Sequence, residues 1–167
     1  IGIYPKYNAG ISLNNRNKYV NVFGNYNYNQ RKNESFMNLY RTQLDTLFDQ
    51  KSNMSFRNKS HNFKAGVDYF INSKSTVGLM VNGNITDFKF ANVSRTPISY
   101  IPTGIVDRTL LADNSSSSER NQLNFNLNYR YADTLGREWT MDADYGSFRI
   151  NSDQMQPNYY FDPLGNL

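Results

Sequence analysis

Cysteine is absent from the 167 residues, which removes disulfide scaffolds and thiolate metal sites from consideration. Histidine occurs once, as His61, and no G-x-S-x-G elbow is present, so a nucleophilic triad has only one candidate base and no motif to place it. Long apolar runs are missing as well. No stretch approaches the 18 or more apolar residues of a membrane helix, and no segment of useful length carries a helical period. This excludes a spanning helix but not a spanning strand, which crosses with about 9 to 11 residues, every second one apolar. Lys and Arg nowhere form a run: 18 basic and 14 acidic residues, net charge +4, are scattered through expected turns and loops. Such charges read as solvated strand ends, and nucleic acid is not an expected partner.

What the chain has in quantity is aromatic and amide side chains: 13 Tyr, 11 Phe and 25 Asn, against a modest supply of Leu, Ile and Val. Soluble cores are built mostly from aliphatic residues, so this composition points to sheets with wet, amide-lined surfaces. The arrangement sharpens the point. In "QLNFNLNYRYAD", Leu123, Phe125, Leu127, Tyr129 and Tyr131 alternate with Asn124, Asn126, Asn128 and Arg130. Successive strand residues point to opposite faces, so this strand divides an apolar environment from a polar one.

The same alternation recurs in pairs. Residues 7–13 and "YVNVFGNYNYNQ" flank the polar turn "NNRNK"; "HNFKAGVDYFI" and "TVGLMVNGNITDF" flank "NSKS"; the stretch at 122–133 and "WTMDADYGSFRI" flank "DTLGRE". The expected fold is all-β, an antiparallel up-and-down meander of about six strands, with hairpins at about 7–30, 60–90 and 121–150. Segments 31–57 and 92–120 are expected as long loops, the second containing the serine run "NSSSSER". Short turns near residues 15, 74 and 135 would lie at one end and long loops at the other, the asymmetry of outer-membrane barrels.

Aromatic residues cluster beside the short turns: Tyr19 after the first, Tyr69 and Phe70 before the second, Tyr131 and Trp139 around the third. That is the placement of an interfacial girdle in contact with a lipid bilayer. The opposite parity, with Asn25, Asn27, Asn82, Asn84, Asn124, Asn126, Asn128, Arg130, Asp142 and Asp144, is too polar for a dry core and suits a lumen. The apolar parity slips after Ile85 to Phe88 and Phe90, and after Tyr145 to Phe148 and Ile150, where a strand leaves the hydrocarbon or carries a bulge.

Asp142 and Asp144 have the form of paired carboxylates for acid–base work or a cation site. A charged lumen wall accounts for them, with Arg130, Lys64 and Lys89 as partners, and His61 reads as a rim residue. No catalytic, cofactor-binding or metal-binding residue is assigned, and no enzyme activity or cofactor is expected. Matches to the glycosylation sequon, such as those beginning at Asn53, Asn58, Asn84 and Asn92, are explained by the abundance of Asn.

The strands "AGISLNNRNKYVNVFGNYNYN" and "SHNFKAGVDYFINSKSTVGLMVNG" resemble the barrel region of Bacteroidetes outer-membrane β-barrel family proteins, the group described as TonB-dependent receptor-like. The resemblance is one of hairpin style rather than of catalytic residues. It implies a large barrel in the cell outer membrane, preceded by a plug, with uptake driven through TonB in some members. This chain would then be a piece of such a barrel, and its partners the lipid bilayer, the remaining barrel, a plug, and TonB or a surface lipoprotein through other regions. The expected function is uptake of a polar nutrient. The alternatives are a non-transporting barrel for adhesion or surface binding and a soluble secreted β-sandwich binding domain.

Overall fold

A computed structural model describes residues 4–167. The chain forms β1 (Lys6–Arg16), β2 (Val20–Gln43), β3 (Thr46–Phe70), β4 (Ser75–Tyr100), β5 (Ile105–Ala132), β6 (Glu138–Met155) and β7 (Asn158–Phe161). The first six follow one another across a single antiparallel sheet in chain order, and β7 pairs with β5. β6 and β7 are one stave. Ser115 faces Met155 and Ala112 faces Asn158 in the same register, and the interruption falls at Pro157, which has no N–H to give. Asp113 N–H still donates to the Pro157 carbonyl at 3.1 Å. The sheet is open, with β1 at one edge and β6–β7 at the other.

Turn chemistry sets the short ends. Asn17 accepts hydrogen bonds from the Tyr19 and Val20 backbone N–H groups, and Asn72 from those of Lys74 and Ser75, each at 2.8–2.9 Å. Asp133 does the same for Leu135 and Arg137. An Asx side chain that caps two amides holds each reversal tight without help from packing. The "DTLGR" turn recurs as "DPLGN" at 162–166: Asp162 accepts from Leu164 and Asn166, and Gly136 and Gly165 take the positive φ of 79° and 88° that closes each turn.

Segments 31–57 and 92–120, expected as loops, are strand except at two tips. β2 passes into β3 through Leu44 and Asp45 alone, and β4 into β5 through residues 101–104. The loop expectation rests on lost alternation, but a strand is held by its backbone ladder, which runs on through these segments without an alternating pattern. The serine run lies inside β5, where Ser116 faces Phe90 and Ser118 faces Phe88, small side chains opposite large ones. Strands of 24 to 28 residues, β2, β3, β4 and β5, reach roughly 80 to 90 Å at about 3.3 Å per residue.

No bulge follows Ile85 or Tyr145. β4 keeps one register with β5 from Ser75 to Ile98, and the shift comes only between Ile98 and Ser99; β5 and β6 keep one register throughout. Phe88, Phe90, Phe148 and Ile150 therefore stand on the same face as Asn82 and Asn84, and the Phe56 and Phe90 rings meet there at 5.0 Å between centroids.

Neither face is covered by a second layer. Ala112 is the one buried apolar residue among the described residues, and no large side chain is fully buried. The two faces are nevertheless unequal. Along β4 the asparagine parity is half-buried or buried, down to Ser94 and Thr96, while Leu79, Ile85, Lys89, Val93 and Arg95 on the other parity are exposed. The amide face is the more shielded of the two, as it would be in a sheet curled toward it, and we term it the concave face and the apolar one the convex face.

Candidate functional site

The concave wall brings the expected polar residues together. Asn25, Asn82 and Asn124 share one row, Asn27 and Asn84 the next, and Asn126 with Asp144 and Asn128 with Asp142 the two rows toward the short turns. Arg130 lies one row nearer the turns. Asn124 donates to Asn82 at 2.9 Å, Asn126 to Asp144 at 2.8 Å and Asn128 to Asn126 at 3.1 Å. Asn84 donates to Asn62 and accepts from Thr86, and Asn21 donates to Asp68 at 2.9 Å. Each carboxamide has two donors and an acceptor oxygen with two lone pairs, so after these bonds the wall keeps free capacity for water or a polar solute.

Cross-strand glycines make room for these amides. Asn128 lies over Gly78, where an added methyl would come within 2.6 Å of the amide, and Asn27 lies over Gly10 in the same way. Small residues opposite large ones keep the wall flat.

The partners expected for Asp142 and Asp144 are elsewhere. Arg130 pairs with Glu138 at 2.7 Å, Lys64 sits over the Phe23 ring at 5.7 Å, and Lys89 is on the convex face. The expected slip puts Phe88 and Phe90 on the apolar face and Lys89 in the lumen; because the register does not slip, the two phenylalanines turn inward and the lysine outward. His61 also differs from expectation. It lies well inside β3 on the convex face, its Nδ1 2.7 Å from the Tyr26 hydroxyl and its ring 5.0 Å from that of Tyr28.

On the convex face, Val81 heads a row with Leu13, Gly24, Ala65, Phe125 and Tyr145. Apolar residues extend around that row in every strand, but not symmetrically. In β1 they run from it toward the long tips, as far as Tyr7; in β6 they run from it toward the short turns, as far as Trp139. The belt's centre thus shifts by about six residues over five strand spacings, roughly 20 Å along for 24 Å across, a slope of about 40°.

No protein-family model matches the chain, and no curated protein matches it. The two faces therefore carry the functional argument by themselves.

Of the four expected girdle aromatics, Tyr69, Tyr131 and Trp139 lie at the turn end of the convex face, with Trp139 directly opposite Tyr131. Tyr19 does not. Its carbonyl accepts from Phe70 N–H, so by alternation it falls with Asn21, and Lys18 lies over its ring at 5.6 Å. Tyr129 and Ile71 complete that end of the belt and were not singled out. Parity of the hairpin was the signal for both.

The short turns carry a pH-sensitive element outside the belt. The Arg137 backbone N–H holds the Asp133 carboxyl below the usual carboxylate range, with added help from the Arg137 guanidinium and the Leu135 N–H. A carboxyl depressed in the fold lends stability above its unfolded pKa and loses it as pH falls through the folded one. Protection of the Leu135 and Arg137 amides against hydrogen exchange, relative to their free-peptide rates at each pH, is expected to fall under acid conditions. Asp133→Asn should remove that pH dependence, since the amide oxygen still accepts but does not titrate.

Proposed function

We propose that this chain is a segment of an outer-membrane β-barrel, of the TonB-dependent receptor-like kind its hairpins resemble, that admits a polar nutrient across the outer membrane. The observation that carries the reading is the convex belt: a continuous apolar face across six strands that no layer of the chain covers. About 9 to 11 residues per strand is the span of a bilayer's hydrocarbon for a tilted strand, and the belt's slope of about 40° matches the 35–45° tilt of such barrels. Lipid is the one environment that asks for an apolar outside and a wet, amide-rich inside on the same strand.

In this reading the concave amides exchange hydrogen bonds with a hydrated solute as it passes, and a plug supplied by other residues gates the passage. The remaining staves pair with the two open edges, which otherwise invite edge-to-edge association. The strands continue about 15 residues beyond the belt, which favours a second role for the same barrel: hairpins that hold a partner at the cell surface. A solute-flux assay separates transport from adhesion alone.

The reading is tested by light scattering and circular dichroism on residues 1–167, in plain buffer and in detergent micelles. Aggregation in buffer with β-structure recovered in micelles is expected. A monomeric, cooperatively unfolding β-protein in buffer would overturn the membrane assignment and favour a secreted binding domain.

A further inference from the structure

Beyond the belt, on the side of the long hairpins, one row of the convex face gathers basic residues. Lys32, Arg57 and Lys89 occupy directly opposed positions on β2, β3 and β4, and the row continues through Ser117 to Asp153. Like charges directly opposite one another repel, so the row is unfavourable unless an anion sits on it. Lys32 has one, an ion pair with Glu34 at 2.7 Å, and lies over the Tyr4 ring. Among the described residues Arg57 and Lys89 make no ion pair.

Beside these two cations the face is hollow. Ser55, Ser115 and Ser117 leave a depression of about 400 Å³ that Arg57, Lys89 and Asp153 border. Guanidinium, ammonium and hydroxyl groups around a hollow are the donors that recognise a phosphate. Two carboxylates approach the site: Asp153 borders the depression without pairing to either cation, and Glu34, opposite Ser55, is already paired with Lys32. Asp87 faces Lys59 in the next row toward the belt, Glu119 stands beside Asp87, and Asp153 is two strands from Lys89.

Depth identifies the source of the phosphate. Lys89 is four residues beyond Ile85, where the unbroken convex apolar run of β4 gives way to Asp87 and Lys89, or about 13 Å along the strand and roughly 10 Å along the normal of a bilayer crossed at the belt's slope. Long basic side chains reach back several ångströms from there, which brings their charges to the headgroup layer. We propose that the Arg57–Lys89 depression binds the phosphate of a membrane-lipid headgroup and so fixes the barrel's vertical position, an inference that rests on the barrel reading.

The test uses the chain folded in mixed micelles, with phosphatidic acid or phosphatidylcholine added and lipid retention followed by native mass spectrometry. Phosphatidic acid is expected to be retained preferentially. Arg57→Gln and Lys89→Gln should each lower that retention about fivefold, in line with the worth of one basic residue near an anionic surface, while Lys74→Gln at the far turn leaves it unchanged. Equal retention by the variants and the parent would overturn the proposal. Displacement by equimolar inorganic phosphate would overturn the lipid source in favour of a free anion. Circular dichroism reads the barrel separately: without β-structure in micelles the barrel reading fails and the headgroup site with it, whereas β-structure without lipid preference sinks the site alone.

Discussion

Leu127→Arg is expected to destabilise the protein in a bilayer by about 2–4 kcal/mol, and Tyr131→Arg, four residues nearer the short turn on the same strand, by no more than about 1 kcal/mol. The difference is the diagnostic part. Leu127 stands between Leu79 and Ala143 at the middle of the belt, and Tyr131 between Ser75 and Trp139 at its edge. A guanidinium at mid-depth must be dehydrated or must drag water inward; at the edge it reaches the headgroups by bending a few ångströms. Asn126→Arg, next to Leu127 but on the concave wall, should change stability little, because that wall stays in contact with water. Denaturation from vesicles, followed by the fluorescence of Trp139, the chain's single tryptophan, gives the three values. Packing against a second protein layer would make the convex face uniformly costly, so equal losses at 127 and 131 would count against lipid.

That contrast also explains which parts of the fold were legible from the sequence. Inside the belt apolar and amide side chains alternate, and the three hairpins, their parity and the polar wall are legible down to Asn124 and Asp144. Beyond it apolar and polar residues mix on both parities, the period of two fades, and 31–57 and 92–120 read as loops although backbone ladders carry β2 to Gln43 and β5 from Ile105. The same fading hid the side of Lys89: two inward phenylalanines looked like a slipped strand, and only the ladder shows that the register holds. Tyr19 was misplaced for a different reason. Its aromatic ring and its place beside the turn suit a girdle, but the alternation of Val20, Val22 and Gly24 already sets it on the parity of Asn21. The repeated D-x-L-G turn at 133 and 162 was readable and marks both ends of the β6–β7 stave.

Two glycines that look equivalent in sequence should respond differently to the same change. Phe23 lies across Gly66 on the concave face and Phe63 across Gly83 on the convex face, each ring covering a cross-strand glycine that leaves it space. A methyl at Gly66 would come within 2.4 Å of Phe23, and its three nearest neighbours would all be atoms of that ring; a methyl at Gly83 would come within 2.4 Å of Phe63 and also within 2.8 Å of the Gln122 backbone carbonyl. Both Gly66→Ala and Gly83→Ala are expected to cost about 1–3 kcal/mol through overpacking. A ring can swing aside or be removed, whereas a carbonyl held in the β4–β5 ladder cannot. In a Phe23→Ala background Gly66→Ala should therefore become neutral or slightly stabilising, since alanine loses less conformational freedom than glycine in a strand. In a Phe63→Ala background Gly83→Ala should keep much of its cost. Double-mutant cycles measured by denaturation in micelles report the coupling directly. A large coupling energy at 23–66 with a smaller one at 63–83 would place the close approach of β4 and β5 at Gly83, in the middle of the belt, where backbone spacing and not side-chain shape sets what the position accepts.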